Sequence, residues 1–319
     1  MKVATRWVWL VLAVCVAQAA QAVVPEEGLW WNPAESGRGY GIELQDDGMF
    51  VTYYAYQDNG AKSAFYTTFG RFNSDTGVMT GYFADAKNGQ CFGCPYRGPQ
   101  VTEIGQARFA FTSPTTGRIE LPGNVSIPIQ RQIYMADNLR APEIMLGVWG
   151  MVDGGPVYFG EMLWFREVVD GPPRRFAGHR LGATGRVALG QATGDPALPM
   201  LMLVDSSTTY YTAYAFSNSV NRLVGRTWTY PKTGQLSGPG LPFIGTRIMG
   251  HTLARQATSA QAGDTKTAMS DSDANDDARY QATLAEGSAA TTKIEASTHS
   301  IAELQAAFGR LQVELEGTE

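Results

Sequence analysis

The chain has 319 residues, a formal net charge of −5 and three cysteines. Residues 23–256 carry 19 acidic and 19 basic side chains, whereas residues 257–319 carry 11 acidic and four basic ones. A body without excess positive charge has no field that attracts nucleic acid or an anionic membrane surface, so the composition argues against both partners. The length is sufficient for two domains and a tail.

Residues 1–22 have the three parts of a secretory signal peptide. Lys2 and Arg6 supply a positive start, Trp7–Val16 is apolar, and Ala20-Gln21-Ala22 is a small-residue cleavage site. A retained membrane anchor is the alternative, but the apolar run is shorter than the ~20 residues that span a bilayer. We therefore expect cleavage near Ala22, export to the periplasm or the extracellular space, and no transmembrane segment in the mature chain.

Residues 23–135 are predicted to form a first β-module. Residues 39–45 alternate between apolar and polar side chains, which is typical of a half-buried strand. Turn signals rich in Gly, Asn and Asp separate further strands, predicted at Met49–Tyr56, Ala61–Phe72, Val78–Ala84, Ala107–Thr112, Arg118–Leu121 and Val125–Tyr134. Strands spaced by roughly ten residues predict an antiparallel meander that closes as a barrel or a sandwich.

Aromatic residues are concentrated in this module, and neighbours such as Tyr53 and Tyr54 must point to opposite faces of a sheet. One face is the core, and the other is predicted to hold aromatic side chains at a surface or cavity that binds a glycan or a small apolar molecule. The candidate ligand-binding residues are Trp30, Trp31, Glu35, Arg38, Tyr54 and Tyr56. The alternative is that both faces pack against protein.

Cys91 and Cys94 are the cysteines that remain after removal of the leader, and they form a Cys-x-x-Cys pair in a loop rich in Gly and Pro. In an oxidising compartment a structural disulfide is the expected state. Redox exchange is the alternative, but no helical pattern follows Cys94 to stabilise a thiolate. Structural zinc requires about four ligands, so we expect no metal site and no cofactor.

Residues 136–146 are predicted to be a linker, and residues 147–256 a second β-module. Gly147-Val148-Trp149-Gly150 is similar to Gly28-Leu29-Trp30-Trp31, and Thr208–Ser217 is similar to Phe50–Tyr56. The two modules are either a diverged repeat or a chance convergence of turn-rich β-sequences.

Residues 257–299 are rich in Ala, Ser, Thr and Asp, and we predict a disordered acidic tail. Residues 300–316 are predicted to form a short amphipathic helix, because Ser300 to Glu303 is a capping box. Its apolar stripe consists of Ile301, Leu304, Phe308, Leu311 and Leu315. Two heptads are marginal in isolation, so this helix either docks weakly on the body or mediates self-association.

No nucleophile motif or phosphate-binding loop is present, and His179 lies in a basic segment predicted to be solvent-exposed. Carboxylates that a glycoside hydrolase would need are available at Glu35, Glu43, Glu103, Glu120 and Glu161, but most β-proteins offer as many. We assign no catalytic residue. The leading hypothesis is an exported, non-enzymatic binding protein, followed by an envelope-associated interaction scaffold and then by a polysaccharide hydrolase.

The block from Gly28 to Gly39 resembles a group of exported proteobacterial proteins with no assigned activity. Their domains open with Gly-x-Trp-x-x-Pro-x-Glu-Ser-Gly-x-Gly and continue with a hairpin and a Cys-x-x-Cys-Pro loop, here Tyr54–Gly60 and Cys91–Pro95. The resemblance covers residues 28–134. The Gly-x-Trp element is also similar to the lipocalin and avidin barrels, which implies that the tryptophan plugs one barrel end, although the shorter loops here argue against a deep ligand cup.

Overall fold

A computed structural model describes residues 23–57, 60, 62–154, 160–181, 187–195, 199–254 and 301–316. It contains two closed eight-stranded antiparallel barrels and a helix near the C-terminus, which confirms the all-β prediction and selects the barrel over the sandwich. The predicted signal peptide and acidic tail lie outside the described residues. Within the described ranges, no helix is long and apolar enough to cross a membrane.

Barrel 1 is an up-and-down meander in which each strand pairs with the next and the eighth pairs with the first. Its strands are β1 (Gly28–Trp31), β2 (Gly39–Gln45), β3 (Gly48–Tyr56), β4 (Ser63–Asn73), β5 (Val78–Lys87), β6 (Gln100–Ser113), β7 (Thr116–Leu121) and β8 (Val125–Arg131). The period-two pattern directs alternate side chains into one interior core, which includes Trp30, Met49, Val51, Met79, Phe109 and Ile119.

Barrel 2 repeats this topology. Its strands are β9 (Gly147–Asp153), β10 (Gly160–Val169), β11 (Arg175–Arg180), β12 (Ala188–Ala192), β13 (Met200–Asp205), β14 (Tyr210–Asn218), β15 (Arg222–Pro231) and β16 (Leu241–Gly250). Strand order makes β11 the counterpart of β3, so the sequence similarity between Thr208–Ser217 and Phe50–Tyr56 does not join equivalent strands. The common origin of the two barrels stays a prediction.

Each barrel has one end plugged by the tryptophan of its first strand, and we call this the closed end. The indole Nε1 of Trp30 donates to the carbonyl of Glu26 at 2.9 Å, and that of Trp149 donates to the carbonyl of Met145 at 2.7 Å. Both tryptophans are fully buried, and the carbonyl lies four residues before the ring in each case. The sequence similarity between Gly28–Trp31 and Gly147–Gly150 therefore corresponds to an equivalent tryptophan plug in each barrel.

A last-strand arginine stands opposite each tryptophan. Arg131 pairs with Trp30 across the β1–β8 seam, and Arg247 pairs with Trp149 across the β9–β16 seam. Gly28, two residues before Trp30, has a φ of 118°, and a Cβ there would lie 2.4 Å from the Arg131 guanidinium. The positive φ is the reason that glycine is favoured at this position, and the arginine occupies the space that a Cβ would fill.

The predicted linker ends in a 3-10 helix, Pro142–Met145, that closes barrel 2. Ile144 and Met145 are fully buried in the barrel core. The Arg247 guanidinium lies 4.3 Å from the centre of the Trp149 ring and donates to the carbonyls of Ile144, Leu146 and Val220. Burial lowers the pKa of Arg247 to about 10, and the charge of Glu26 opposes this shift.

The helix α1 (Ile301–Glu316) packs on the outer wall of barrel 2, in agreement with the predicted bounds of 300–316. Four side chains of the predicted stripe are buried there: Leu304, Phe308, Leu311 and Leu315. The side chain of Ile301 lies outside the described part. Because the chain's own barrel covers this stripe, self-association through it would first require the helix to leave the barrel.

Glu26 links the closed ends of the two barrels. Its carboxylate accepts from the Ser219 hydroxyl at 2.7 Å, from the Val220 amide at 3.1 Å and from the Asn221 amide at 2.6 Å. These donors belong to the turn between β14 and β15, and Glu26 is only 5% exposed. One carboxylate of barrel 1 thus accepts three hydrogen bonds from a single turn of barrel 2. We call the opposite end of each barrel its open end.

Candidate functional site

The open end of barrel 1 holds a depression of about 610 Å³, formed where β3 ends, β4 begins and β5 ends. We call it the mouth pocket. Thirteen residues line it: Gly37, Tyr53, Tyr54, Ala55, Tyr56, Gln57, Ser63, Ala64, Phe65, Asp85, Ala86, Lys87 and Asn88. The antiparallel register brings these segments together, because Tyr54 pairs with Phe65 and Tyr66 pairs with Asp85.

Aromatic neighbours in the mouth pocket divide between the interior and the outside, as the alternation predicts. Tyr53 is 2% exposed, whereas Tyr54, Tyr56 and Phe65 are 56%, 57% and 52% exposed. The three exposed rings form a rim with accessible faces. Such a rim offers apolar contact area at the edge of a concave site.

Two buried tyrosines lie inside the barrel behind this rim. The Tyr53 hydroxyl lies 2.8 Å from the Thr68 hydroxyl, and the Tyr40 ring packs edge-on against Tyr53 with 5.5 Å between ring centres. The Tyr40 hydroxyl is buried, and no described residue forms a hydrogen bond with it. Burial raises the pKa of both phenols, so both remain protonated at neutral pH.

Charged groups accompany the aromatic rim. The Lys87 ammonium lies 2.5 Å from the Asp85 carboxylate, and the Asp85 side chain is 11% exposed while that of Lys87 is 57% exposed. The mouth pocket therefore combines exposed ring faces with a nearly buried carboxylate and an accessible ammonium. It offers both stacking and hydrogen bonding to a ligand.

The predicted ligand-binding residues divide into three groups. Tyr54 and Tyr56 line the mouth pocket. Glu35 and Arg38 form an exposed ion pair in the loop before β2, the loop that also contributes Gly37 to the pocket.

Trp30 and Trp31 do not line the mouth pocket, and they lie in two different environments. Trp30 is fully buried and plugs the closed end, so the structure places it in the core of barrel 1. Trp31 is half-buried at the end of β1. Successive strand residues face opposite ways, and the structure shows that the first tryptophan of the pair is the inward one.

The Cys91–Cys94 pair lies at disulfide distance with Cα atoms 5.3 Å apart, as predicted. It belongs to the exposed loop between β5 and β6, shortly after Asn88, which lines the mouth pocket. The side chains of Phe92 and Tyr96 in this loop are also exposed.

The open end of barrel 2 holds a buried polar cluster around Glu161, which the sequence offered only as one of five available carboxylates. The Glu161 carboxylate lies 3.4 Å from Arg180 Nε and accepts from the Tyr214 hydroxyl at 3.4 Å. Arg180 also donates to the carbonyl of Ser206. Alternation along β10 could have indicated this burial, because Glu161 shares the inward face of the strand with Leu163 and Phe165.

Burial raises the pKa of Glu161 above its ordinary value, and Arg180 and Tyr214 oppose this shift. Burial and the nearby Glu161 charge raise the pKa of Tyr214 well above its ordinary value. The cluster is thus a carboxylate that is costly to ionise, held by one guanidinium and one phenol.

His179 is buried, so the expectation of a solvent-exposed histidine was wrong. Its ring packs 5.4 Å from the Trp164 ring on β10. Among the described residues, no group of three or more His, Cys, Asp or Glu side chains is placed to hold a metal ion.

Comparison with protein-family models, with curated proteins and with solved structures found no match to this chain.

Proposed function

We propose that this protein is an exported, non-enzymatic binding protein that holds a glycan in the mouth pocket of barrel 1. The observation that carries the proposal is the combination of three accessible rings, Tyr54, Tyr56 and Phe65, with Asp85 and Lys87 in one depression. Export is supported by the predicted signal peptide and by the cysteine pair, which suits an oxidising compartment.

The chemistry of the mouth pocket favours a glycan over a small apolar ligand. A sugar ring presents an apolar C–H face for stacking and a rim of hydroxyls for hydrogen bonds, and the pocket offers partners for both. An apolar ligand would cover Asp85 and Lys87 without replacing their bonds to water, which is costly. The depression is also open, since its aromatic rim is half exposed.

Titration calorimetry of the mature chain with a panel of neutral and charged oligosaccharides tests the proposal. Tyr56→Ala removes an exposed ring, and we expect a loss of about 1–2 kcal/mol, or roughly 5- to 30-fold in Kd. Tyr134→Ala is the matched control, because Tyr134 is also exposed but does not line the pocket. Failure of every oligosaccharide to bind, or equal losses in the two variants, would contradict glycan binding at this site.

A further inference from the structure

The outer wall of barrel 1 carries a second group of exposed aromatic residues, nearer the closed end than the mouth pocket. Phe50 pairs with Phe69, and Phe69 pairs with Tyr82, so the three rings form one row across β3, β4 and β5. They are 42%, 61% and 63% exposed. We call them the outer aromatic row. A contiguous exposed apolar patch of this kind marks an interaction surface.

Barrel 2 has a row in the same register on its third, fourth and fifth strands. Ala177 pairs with Leu189, and Leu189 pairs with Leu203. We call these three residues the covered row, because all of them are buried beneath α1. In barrel 2, an amphipathic helix therefore covers the wall position that the outer aromatic row occupies in barrel 1.

A glycine on the fourth strand fixes the correspondence of the two rows. Gly70 follows Phe69 and Gly190 follows Leu189, and each faces the interior, where a Cβ would lie within 3 Å of neighbouring atoms. Met49 pairs with Gly70 in barrel 1, and Phe176 pairs with Gly190 in barrel 2. The outer aromatic row and the covered row are thus equivalent positions.

The contact between α1 and barrel 2 also has a charged component near the closed end. Arg175 on β11 donates to the Glu314 carboxylate of α1 at 2.6 Å and pairs across the sheet with Gln191. The equivalent cross-strand pair of barrel 1 is Gly48 and Arg71. The same cross-strand pair therefore carries an arginine in both barrels. The arginine is on the third strand in barrel 2 and on the fourth strand in barrel 1.

We propose that the outer aromatic row of barrel 1 is the docking surface for an amphipathic helix of a partner protein. The helix has the chemistry of α1: large apolar side chains at positions i, i+4, i+7 and i+11, and an acidic residue near its C-terminal end that pairs with Arg71. The side chain of Arg71 is 81% exposed, and its bond to Asp47 is a surface ion pair that such a helix can replace. This is helix-in-groove recognition on a barrel wall.

The helix comes from another polypeptide because α1 of this chain is already engaged. The side chains of Leu304, Phe308, Leu311 and Leu315 are buried on barrel 2, so moving α1 to barrel 1 would expose the covered row. The proposal is independent of glycan binding. Phe50 lies four residues before Tyr54 on β3, and the outer aromatic row does not line the mouth pocket.

A fluorescently labelled synthetic peptide of residues 300–319 is the probe, and its anisotropy is followed while the full mature chain is added. We expect saturable binding that Phe69→Asp weakens about tenfold or more, because a charge then lies under the apolar face of the helix. Val101→Asp is the control, since Val101 is also exposed on barrel 1 but lies outside the row. A peptide with Phe308→Asp is expected not to bind.

Three results would overturn the proposal. The first is absence of saturable peptide binding, and the second is binding that Phe69→Asp leaves unchanged, which would mean that the peptide replaces α1 on barrel 2. The third is a dimer of the full chain that Phe69→Asp dissociates, which would mean that a second copy covers the row. Oligosaccharide titration of Phe69→Asp keeps the two proposals separate, because we expect no change in glycan affinity.

Discussion

At the scale of single residues, Arg247 illustrates how one side chain can complete a barrel end. Its guanidinium donates to three backbone carbonyls and covers the Trp149 ring, and burial lowers its pKa to about 10. The group is therefore still charged at neutral pH. It stabilises the fold because buried backbone carbonyls need a hydrogen-bond donor.

Arg247→Met keeps the volume of the side chain but leaves those carbonyls without their donor. We expect the free energy of unfolding to fall by about 2–4 kcal/mol, measured by urea denaturation. Arg166→Met is the matched control, because Arg166 also lies over a tryptophan, 4.6 Å from the Trp164 ring centre, but is exposed. A loss as small as that of the control would contradict the role assigned to Arg247.

The raised pKa of Glu161 predicts that the free energy of unfolding falls as the pH rises. Its pKa in the folded state is raised above the ordinary 4.5, so the unfolded chain releases the proton first. The contribution of this group is fully present below pH 4.5 and declines as the pH rises through the raised value. Glu161→Gln removes this component.

Urea denaturation at several pH values between 4.5 and about 7 checks this expectation. The difference in unfolding free energy between wild type and Glu161→Gln should shift in favour of the variant as the pH rises. Glu43→Gln, at an exposed glutamate on β2, is the matched control for the substitution itself. Parallel pH profiles for wild type and Glu161→Gln would refute the assignment.

The sequence predicted some of the site residues and missed others for identifiable reasons. Tyr54 and Tyr56 follow from alternation along β3, a local property. Which tryptophan of Trp30 and Trp31 faces inward depends on where the sheet closes, and this is not local. Glu161 acquires its character from Arg180 and Tyr214, which lie on other strands and enter only through the register.

At the scale of elements, α1 is the feature whose stability depends most on tertiary packing. A helix of 16 residues is marginal alone, and it is the buried stripe that holds it on the barrel. Phe308 is fully buried in this contact, whereas Val313 on the opposite face is 70% exposed.

Phe308→Ala is expected to release α1, because replacing a buried phenylalanine by alanine costs about 3–5 kcal/mol. Both barrels should stay folded, because the substitution affects only the docking of the helix, which can open locally. Hydrogen exchange measured by mass spectrometry should show loss of protection over 301–316 and newly exposed strands β12 and β13. Val313→Ala should leave the exchange pattern unchanged. Retained protection of α1 in Phe308→Ala would contradict the docking described here.

Strand positions were largely predictable, since β2 and β3 follow period-two alternation and turn signals. The extension of β6 back to Gln100 was not, because residues 100–106 show little apolar alternation and gain strand structure by pairing with β5. The 3-10 helix at Pro142–Met145 was also hidden within the predicted linker. Its burial becomes evident only when the closed end of barrel 2 is assembled.

At the scale of the whole molecule, the two barrels are coupled through Glu26. Three donors of the 219–221 turn converge on its carboxylate, and hydrogen bonds to charged groups are worth about 1.5–3 kcal/mol each. Glu26→Ala removes the acceptor of the Val220 and Asn221 amides and leaves the Ser219 hydroxyl only its bond to the Arg222 carbonyl. We expect calorimetry to show lower stability of barrel 2 and two thermal transitions that are further apart than in wild type.

Glu43→Ala, at an exposed glutamate of the same barrel, is the control for this variant and should leave the thermogram unchanged. A wild-type thermogram for Glu26→Ala would show that the contact contributes nothing to coupling. The sequence predicted a closed meander but did not distinguish a barrel from a sandwich, and it gave no sign of the coupling between the barrels. Pairing of β1 with β8 and contact of Glu26 with Ser219 join residues about 100 and 193 positions apart, and such distances leave no local pattern.

The Glu26 contact also makes the two barrels unequal during synthesis. Chains fold from the N-terminus as they emerge, so barrel 1 can be complete while the later strands are still being made. Until barrel 2 forms, the Glu26 carboxylate is hydrated at little cost, whereas the Val220 and Asn221 amides of barrel 2 depend on that carboxylate as their acceptor. We therefore expect a chain that begins after residue 135, and so lacks Glu26, to fold more slowly than one that ends there.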